Sequence, residues 1–100
     1  MIQRIVRLCF KENFTEDFEQ IFQQSKHQIK AFKGCHYLEL CKDVQDKTVY
    51  YTISRWESEQ DLNQYRQSDL FVETWSKTKK LFAAKPMAFS LSTLEILSTI

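Results

Sequence analysis

The chain holds one glycine and one proline in 100 residues, where average usage of the two together is roughly 12%. Collagen-like, Gly/Ser-linker and Pro-rich classes are thereby excluded. The phosphate-cradling patterns GxGxxG and GxxxxGKS/T and the nucleophile elbow GxSxG are excluded too, since each needs at least two glycines. No sign of charge dominates: 14 Lys+Arg against 13 Asp+Glu leave +1, which is no electrostatic footprint for nucleic acid. The densest basic cluster, Lys77, Lys79 and Lys80 with Lys85 just beyond, suits the negative end of a helix. Long apolar runs are missing as well. The longest is Leu81-Phe82-Ala83-Ala84, far below the ~18–20 residues a membrane span needs, and the N-terminus shows no secretory apolar region. Three cysteines, an odd number, argue against a disulfide framework. The expectation is a soluble protein with reduced thiols in a cytoplasm, with no membrane or nucleic-acid partner.

Periodicity is plentiful. Residues 1–10 alternate as a strand with apolar groups on both faces, Ile2, Val6, Leu8 and Phe10 on one and Ile5 and Cys9 on the other. Phe14, Phe18, Ile21, Phe22, Ser25, Ile29 and Phe32 then recur at helical spacing, the strongest signal in the chain. Asn13 or Thr15 is positioned to cap that helix, and Gly34 to close it with positive φ. Residues 35–42 and 48–56, rich in aromatic and β-branched side chains, flank a polar connection at 43–47 and read as a hairpin. Ser58 and Ser68 each open a helix, predicted over 58–67 and 69–82, and 87–97 alternates as a last strand.

The order β-α-β-β-α-β specifies one domain over 1–100. It is a ferredoxin-like two-layer α+β sandwich with helices on one sheet face. The other face is not built for water: Val49, Tyr51 and Ile53, then Met87, Phe89 and Leu91, fall on common sides. A second copy of the sheet is the simplest cover, so a homodimer packed sheet to sheet is expected. Arg7, Glu39 and Arg55 would then fall in that interface, where pairing across strands would neutralise them.

Four stretches resemble the antibiotic biosynthesis monooxygenase (ABM-like) domains of the dimeric α+β barrel group. They are Ile2-x-Arg4-Ile5-Val6-Arg7-Leu8-x-Phe10, Phe32-Lys33-Gly34-Cys35-x-x-Leu38-Glu39-Leu40, Tyr51-Thr52-x-Ser54-x-Trp56-x-Ser58 and Tyr65-Arg66-x-Ser68-x-Leu70-Phe71. The resemblance implies a dimeric α+β barrel with a pocket between sheet and helices in each subunit. It also implies an activity like that of relatives that oxidise polycyclic quinols with dioxygen and no metal or organic cofactor; other members degrade haem, and many have no known activity. In those terms Trp56 stands at a typical pocket tryptophan, and Thr52 where quinol-oxidising relatives carry a substrate-holding asparagine. Val6 and Trp75 fall at the asparagine and histidine positions of the haem-degrading branch, which removes that branch's iron ligand.

Cofactor-free oxygenation needs an apolar pocket, a proton acceptor and a hydrogen bond to the developing oxyanion. Strand parity with Trp56 selects Arg4, Val6, His36, Leu38, Tyr50 and Thr52, if no bulge intervenes. Tyr65 and Trp75 would supply walls from the helices. His36, Thr52 and Trp56 are the catalytic candidates. His36 is either the base or a strand-start histidine facing solvent, since its ordinary pKa lies near neutrality. Arg4, Tyr50, Tyr65 and Trp75 are the substrate-binding candidates. His27 lies off the apolar stripe, and no metal motif is present. Two functions fit: a cofactor-independent monooxygenase acting on a quinol or phenol, or a non-catalytic dimeric domain binding a small hydrophobic molecule. A cavity beside Trp56 with a polar group facing it discriminates for the first.

Overall fold

A computed structural model describes residues 1–97; residues 98–100 of the expected domain lie outside the described residues. The elements run β1 (Ile2–Cys9), a 3-10 turn (Glu12–Phe14), α1 (Thr15–Lys30), β2 (Cys35–Lys42), β3 (Val49–Trp56), α2 (Glu59–Arg66), α3 (Asp69–Lys79) and β4 (Met87–Ser92). The four strands form one antiparallel sheet in the order β2-β3-β1-β4. This is the ferredoxin-like α+β arrangement, with helices on one face. No helix is long and apolar enough to cross a membrane among the described residues.

The register fixes which side chains meet. β1 pairs with β3 as Ile2↔Trp56, Arg4↔Ser54, Val6↔Thr52 and Leu8↔Tyr50, and with β4 as Arg4↔Ser90 and Val6↔Ala88. Since side chains alternate along a strand, these even-numbered residues face the helices. The odd-numbered ones, Ile5, Tyr51, Ile53, Met87, Phe89 and Leu91, face away. Met87, Phe89 and Leu91 are close to half exposed in the protomer, at 49%, 48% and 46%. Arg7, Glu39 and Arg55 lie on the same outer face but form no ion pair with one another there. Glu39 instead accepts hydrogen bonds from the Tyr37 hydroxyl at 2.7 Å and the Cys41 thiol at 3.2 Å. Arg55 lies over the Tyr37 ring, 5.2 Å from its centroid.

Several boundaries differ from the sequence expectations for definable reasons. Neither Asn13 nor Thr15 caps α1; its N-cap is Phe14, with no side-chain hydrogen bond, because the 3-10 turn leads the chain directly into the helix. The Ser58 and Ser68 caps do form, each hydroxyl accepting an N–H three residues on at 3.1 Å. The helix expected over 69–82 ends at Lys79. Beyond it the backbone leaves to extend β1: Lys11 donates to the Leu81 carbonyl at 3.0 Å, and Ala83 to that of Cys9 at 2.9 Å. The last strand stops at Ser92 rather than 97, where its pairing partner β1 has reached Ile2.

Gly34 has φ +87°, and its carbonyl accepts from the Glu57 N–H at 2.8 Å. A Cβ built there would lie 2.5 Å from the Cβ of Asp61 in α2. Both the left-handed backbone and the approach of α2 therefore require glycine. Gly34→Ala is expected to destabilise the protein by at least about 1–3 kcal/mol, read as a lower urea midpoint with unchanged slope. An unchanged midpoint would contradict the packing described.

Candidate functional site

The helix-side core is divided. One cluster, Leu8, Phe10, Phe18 and Tyr50, sits at the C-terminal end of β1, and the other, Cys35, Trp56 and Leu62, at its N-terminal end. Between them the central strands offer Val6, Thr52 and Ser54, all short side chains, together with Arg4. A cavity of about 120 Å³ occupies this gap, bounded by Leu8 and Phe18 from one cluster and Trp56 and Leu62 from the other. It is comparable to the roughly 150 Å³ apolar cavity that admits benzene. A second cavity, of about 200 Å³, adjoins it near Pro86 and Ala88 and shares Arg4, Val6, Arg66 and Trp75 as lining.

The walls are aromatic. Tyr65 stacks on Trp56 with ring centroids 4.9 Å apart and meets Phe71 edge-on at 5.2 Å. Phe71 stacks on Trp75 at 5.8 Å, Trp75 meets Phe82 at 5.5 Å, and Phe82 stacks on Phe10 at 5.3 Å. This continuous chain of rings joins the two clusters and fixes the separation between them.

Among the polar groups lining the first cavity, several are committed to the protein. The Trp56 indole N–H donates to Ser54 Oγ at 3.0 Å, and the Ser25 and Thr78 hydroxyls donate to carbonyls one turn back at 2.9 and 2.8 Å. Thr52, Thr74 and Tyr65 line the space, and their hydroxyls form no hydrogen bond with another described residue. Burial, and secondarily the Cys35 thiol, push the Tyr65 phenol far above its ordinary pKa, so at neutral pH it is a hydroxyl and not a phenolate base. Arg4 donates through Nη1 to Ser90 Oγ at 2.9 Å. Burial first, and the charge of Arg66 second, lower the pKa of its guanidinium, which nonetheless stays charged.

Of the residues selected from sequence, Arg4, Thr52, Trp56, Tyr65 and Trp75 converge on this one cavity. His36 and Tyr50 do not. A β-bulge between Cys35 and Tyr37 shifts the register, so Cys35 takes the inward place and His36 turns to solvent. His36 Nε2 there lies 2.9 Å from Glu57 Oε2, both side chains more than half exposed; it is no base for this cavity. Tyr50 has the right parity but packs within the first cluster, 1% exposed. Its hydroxyl donates to Glu19 of α1, which Lys42 also approaches, at 3.2 Å. Its polar end is thus spent on fastening α1 to β3. Arg66 is a cavity residue that the pattern reading missed. Its signal was its position four residues after Leu62, hence on the same face of α2.

The family model described as Antibiotic biosynthesis monooxygenase matches residues 1–76. Solved structures similar to the chain include one from Nitrosomonas europaea provisionally named an antibiotic biosynthesis monooxygenase. Its TM-score is 0.88 at 15% identity, over 95% of this chain and 100% of that one. One from Caulobacter crescentus, of the same provisional name, has TM-score 0.88 at 20% identity, over 94% and 90% of the two chains. One from Bordetella bronchiseptica, also so named, has TM-score 0.83 at 23% identity, over 94% and 97%. Identities this low establish a common fold. No functionally curated protein matches the chain significantly.

The Tyr50 hydroxyl, followed by Lys42, holds the Glu19 carboxyl below its ordinary value of 4.5. A depressed carboxyl contributes stability that is present above the ordinary value and lost as pH falls through the folded one. Tyr50→Phe is therefore expected to lower stability by about 1 kcal/mol near neutrality. The gap between variant and wild type should close as pH drops below 4.5, followed by thermal melting at several pH values. Ligand affinity should be unaffected. A gap independent of pH would contradict this role.

Proposed function

The chain belongs to the antibiotic biosynthesis monooxygenase family, and on that footing we propose that its cavity binds a single-ring phenol or hydroquinone and oxidises it with dioxygen. The observation that carries this reading is the space beside Trp56, with the Thr52 hydroxyl on its wall and no protein partner for that hydroxyl among the described residues. A space of about 120 Å³ suits one ring. In the proposed reaction one atom of dioxygen forms a bond to a ring carbon. The other leaves as water with two substrate hydrogens, so that the phenol itself supplies the electrons and a quinone results. The chain's part is to exclude water with its aromatic walls, orient the ring against Trp56 and Trp75, and donate the Thr52 hydroxyl to the substrate oxygen as charge develops there.

The second reading, a non-catalytic pocket, is favoured by one feature of the same lining: it contains no carboxylate, imidazole, thiol or amine to accept a proton. Oxygen uptake separates the two. The wild type is expected to consume dioxygen with a hydroquinone, and Thr52→Val to lose on the order of 10²-fold in kcat. Saturable binding with no uptake above the protein-free rate would favour the binding domain.

The family's dimeric form is also proposed for this chain. The exposed row Met87, Phe89 and Leu91, continued by Ile5 and Ile53, supports sheet-to-sheet pairing of two copies. The three unpaired thiols fit the reducing cytoplasm proposed as its location. Sedimentation equilibrium is expected to give a dimer, with Phe89→Lys shifting it to monomer; a monomeric wild type would contradict this part.

A further inference from the structure

We infer that the ligand is an anion, a ring-sized apolar molecule bearing one carboxylate or phenolate whose oxygen is held between Arg4 and Arg66. The inference rests on the reading that the cavity takes a small molecule, and it adds the ligand's charge and the residues that select it. Arg4 projects from the middle of the central strand into the helix side of the sheet, and Arg66 closes α2. Both line the first cavity and the second. Neither has a carboxylate within 4.0 Å among the described residues, where the close pairs are His36–Glu57 and Lys42–Glu19. The chain carries 13 Asp and Glu, yet none lines either cavity.

Two like charges facing one space repel each other, and an anion between them removes that repulsion while accepting hydrogen bonds. A structural role accounts for only part of the arrangement. Arg66 in the last turn of a helix complements the helix dipole, but Arg4 is in no helix. Its hydrogen bond to Ser90 engages one of its five N–H donors. Thr52 and Thr74 add hydroxyl donors to the same space, so every charged or uncommitted group there suits an acceptor-rich ligand. A guanidinium pair also favours the ionised form of a bound phenol. It thereby performs the task of the missing base: the proton goes to solvent, and the electron-rich phenolate remains.

The test is calorimetric titration of the full-length protein with benzoate and with benzamide, a neutral molecule of the same size. Arg66→Gln serves as the main variant because its side chain is at the exposed rim, with Arg4→Gln as the second. The wild type should bind benzoate at least about tenfold more tightly than benzamide. That preference should fall toward unity in either variant and weaken with added salt. 4-Nitrophenol supplies the phenolic arm: the bound molecule should show the yellow phenolate at a pH where the free phenol is colourless. Phenolate colour on binding assigns a phenol, and benzoate preference without it assigns a carboxylate, either one upholding the anion site. Equal affinity for benzoate and benzamide, with no phenolate colour, overturns the anion site and leaves the pocket standing. A folded wild type that binds none of the three overturns both.

Discussion

Two aromatic-rich clusters held apart by a chain of stacked and edge-on rings determine the rest of this molecule. Trp56 at one end of the central strand pair and Tyr50 with Phe10 at the other are each 1% exposed, and the rings of Tyr65, Phe71, Trp75 and Phe82 bridge them along α2, α3 and the segment after it. Because the bridge is continuous, the helices cannot settle onto the short side chains between the clusters. The gap, about 120 Å³ and partly open to solvent, forgoes the apolar contacts that a filled core would make there. Replacing Val6 or Thr52 by a larger apolar residue would recover some of them. A gap with hydroxyls and guanidinium groups on its wall fits a ligand better than it fits poor packing.

The sheet serves two purposes through one alternation. On β4, Ser90 faces inward to Arg4 while its neighbours Phe89 and Leu91 face outward. On the proposed dimer, covering the outer row would hold β4 against β1 and so hold the Arg4 guanidinium in place. The pocket and the interface are then two faces of the same strand. This is a physical reason for a small protein to build its site where an edge strand can be covered.

The architecture was readable because period-2 and period-3.6 patterns are strong here, and because Ser58, Ser68 and Gly34 are local signals whose geometry leaves little choice. The site was readable as far as parity holds. Along β1 and β3 it does, which places Arg4, Thr52 and Trp56 together. At β2 a single bulged residue inverts it and sends His36 outward; nothing in the side-chain pattern marks a bulge. Parity also says which face a residue takes but not how far along the strand the cavity extends, so Tyr50 shares a face with Thr52 and belongs to packed core. The end of α3 at Lys79 depends on the next residues pairing with the β1 end of the chain, Leu81 with Lys11 and Ala83 with Cys9, partners far away in sequence that no window on that helix contains.

A ligand in the space between the two clusters would be reported by the indole N–H resonances of Trp56 and Trp75, which line it from β3 and from α3. In a nitrogen-15-labelled sample titrated with hydroquinone under anaerobic conditions, both cross-peaks should move and saturate together on one binding curve. Their remaining fixed through the titration, in a protein whose backbone spectrum shows it folded, would mean that the gap is only an imperfection of the core.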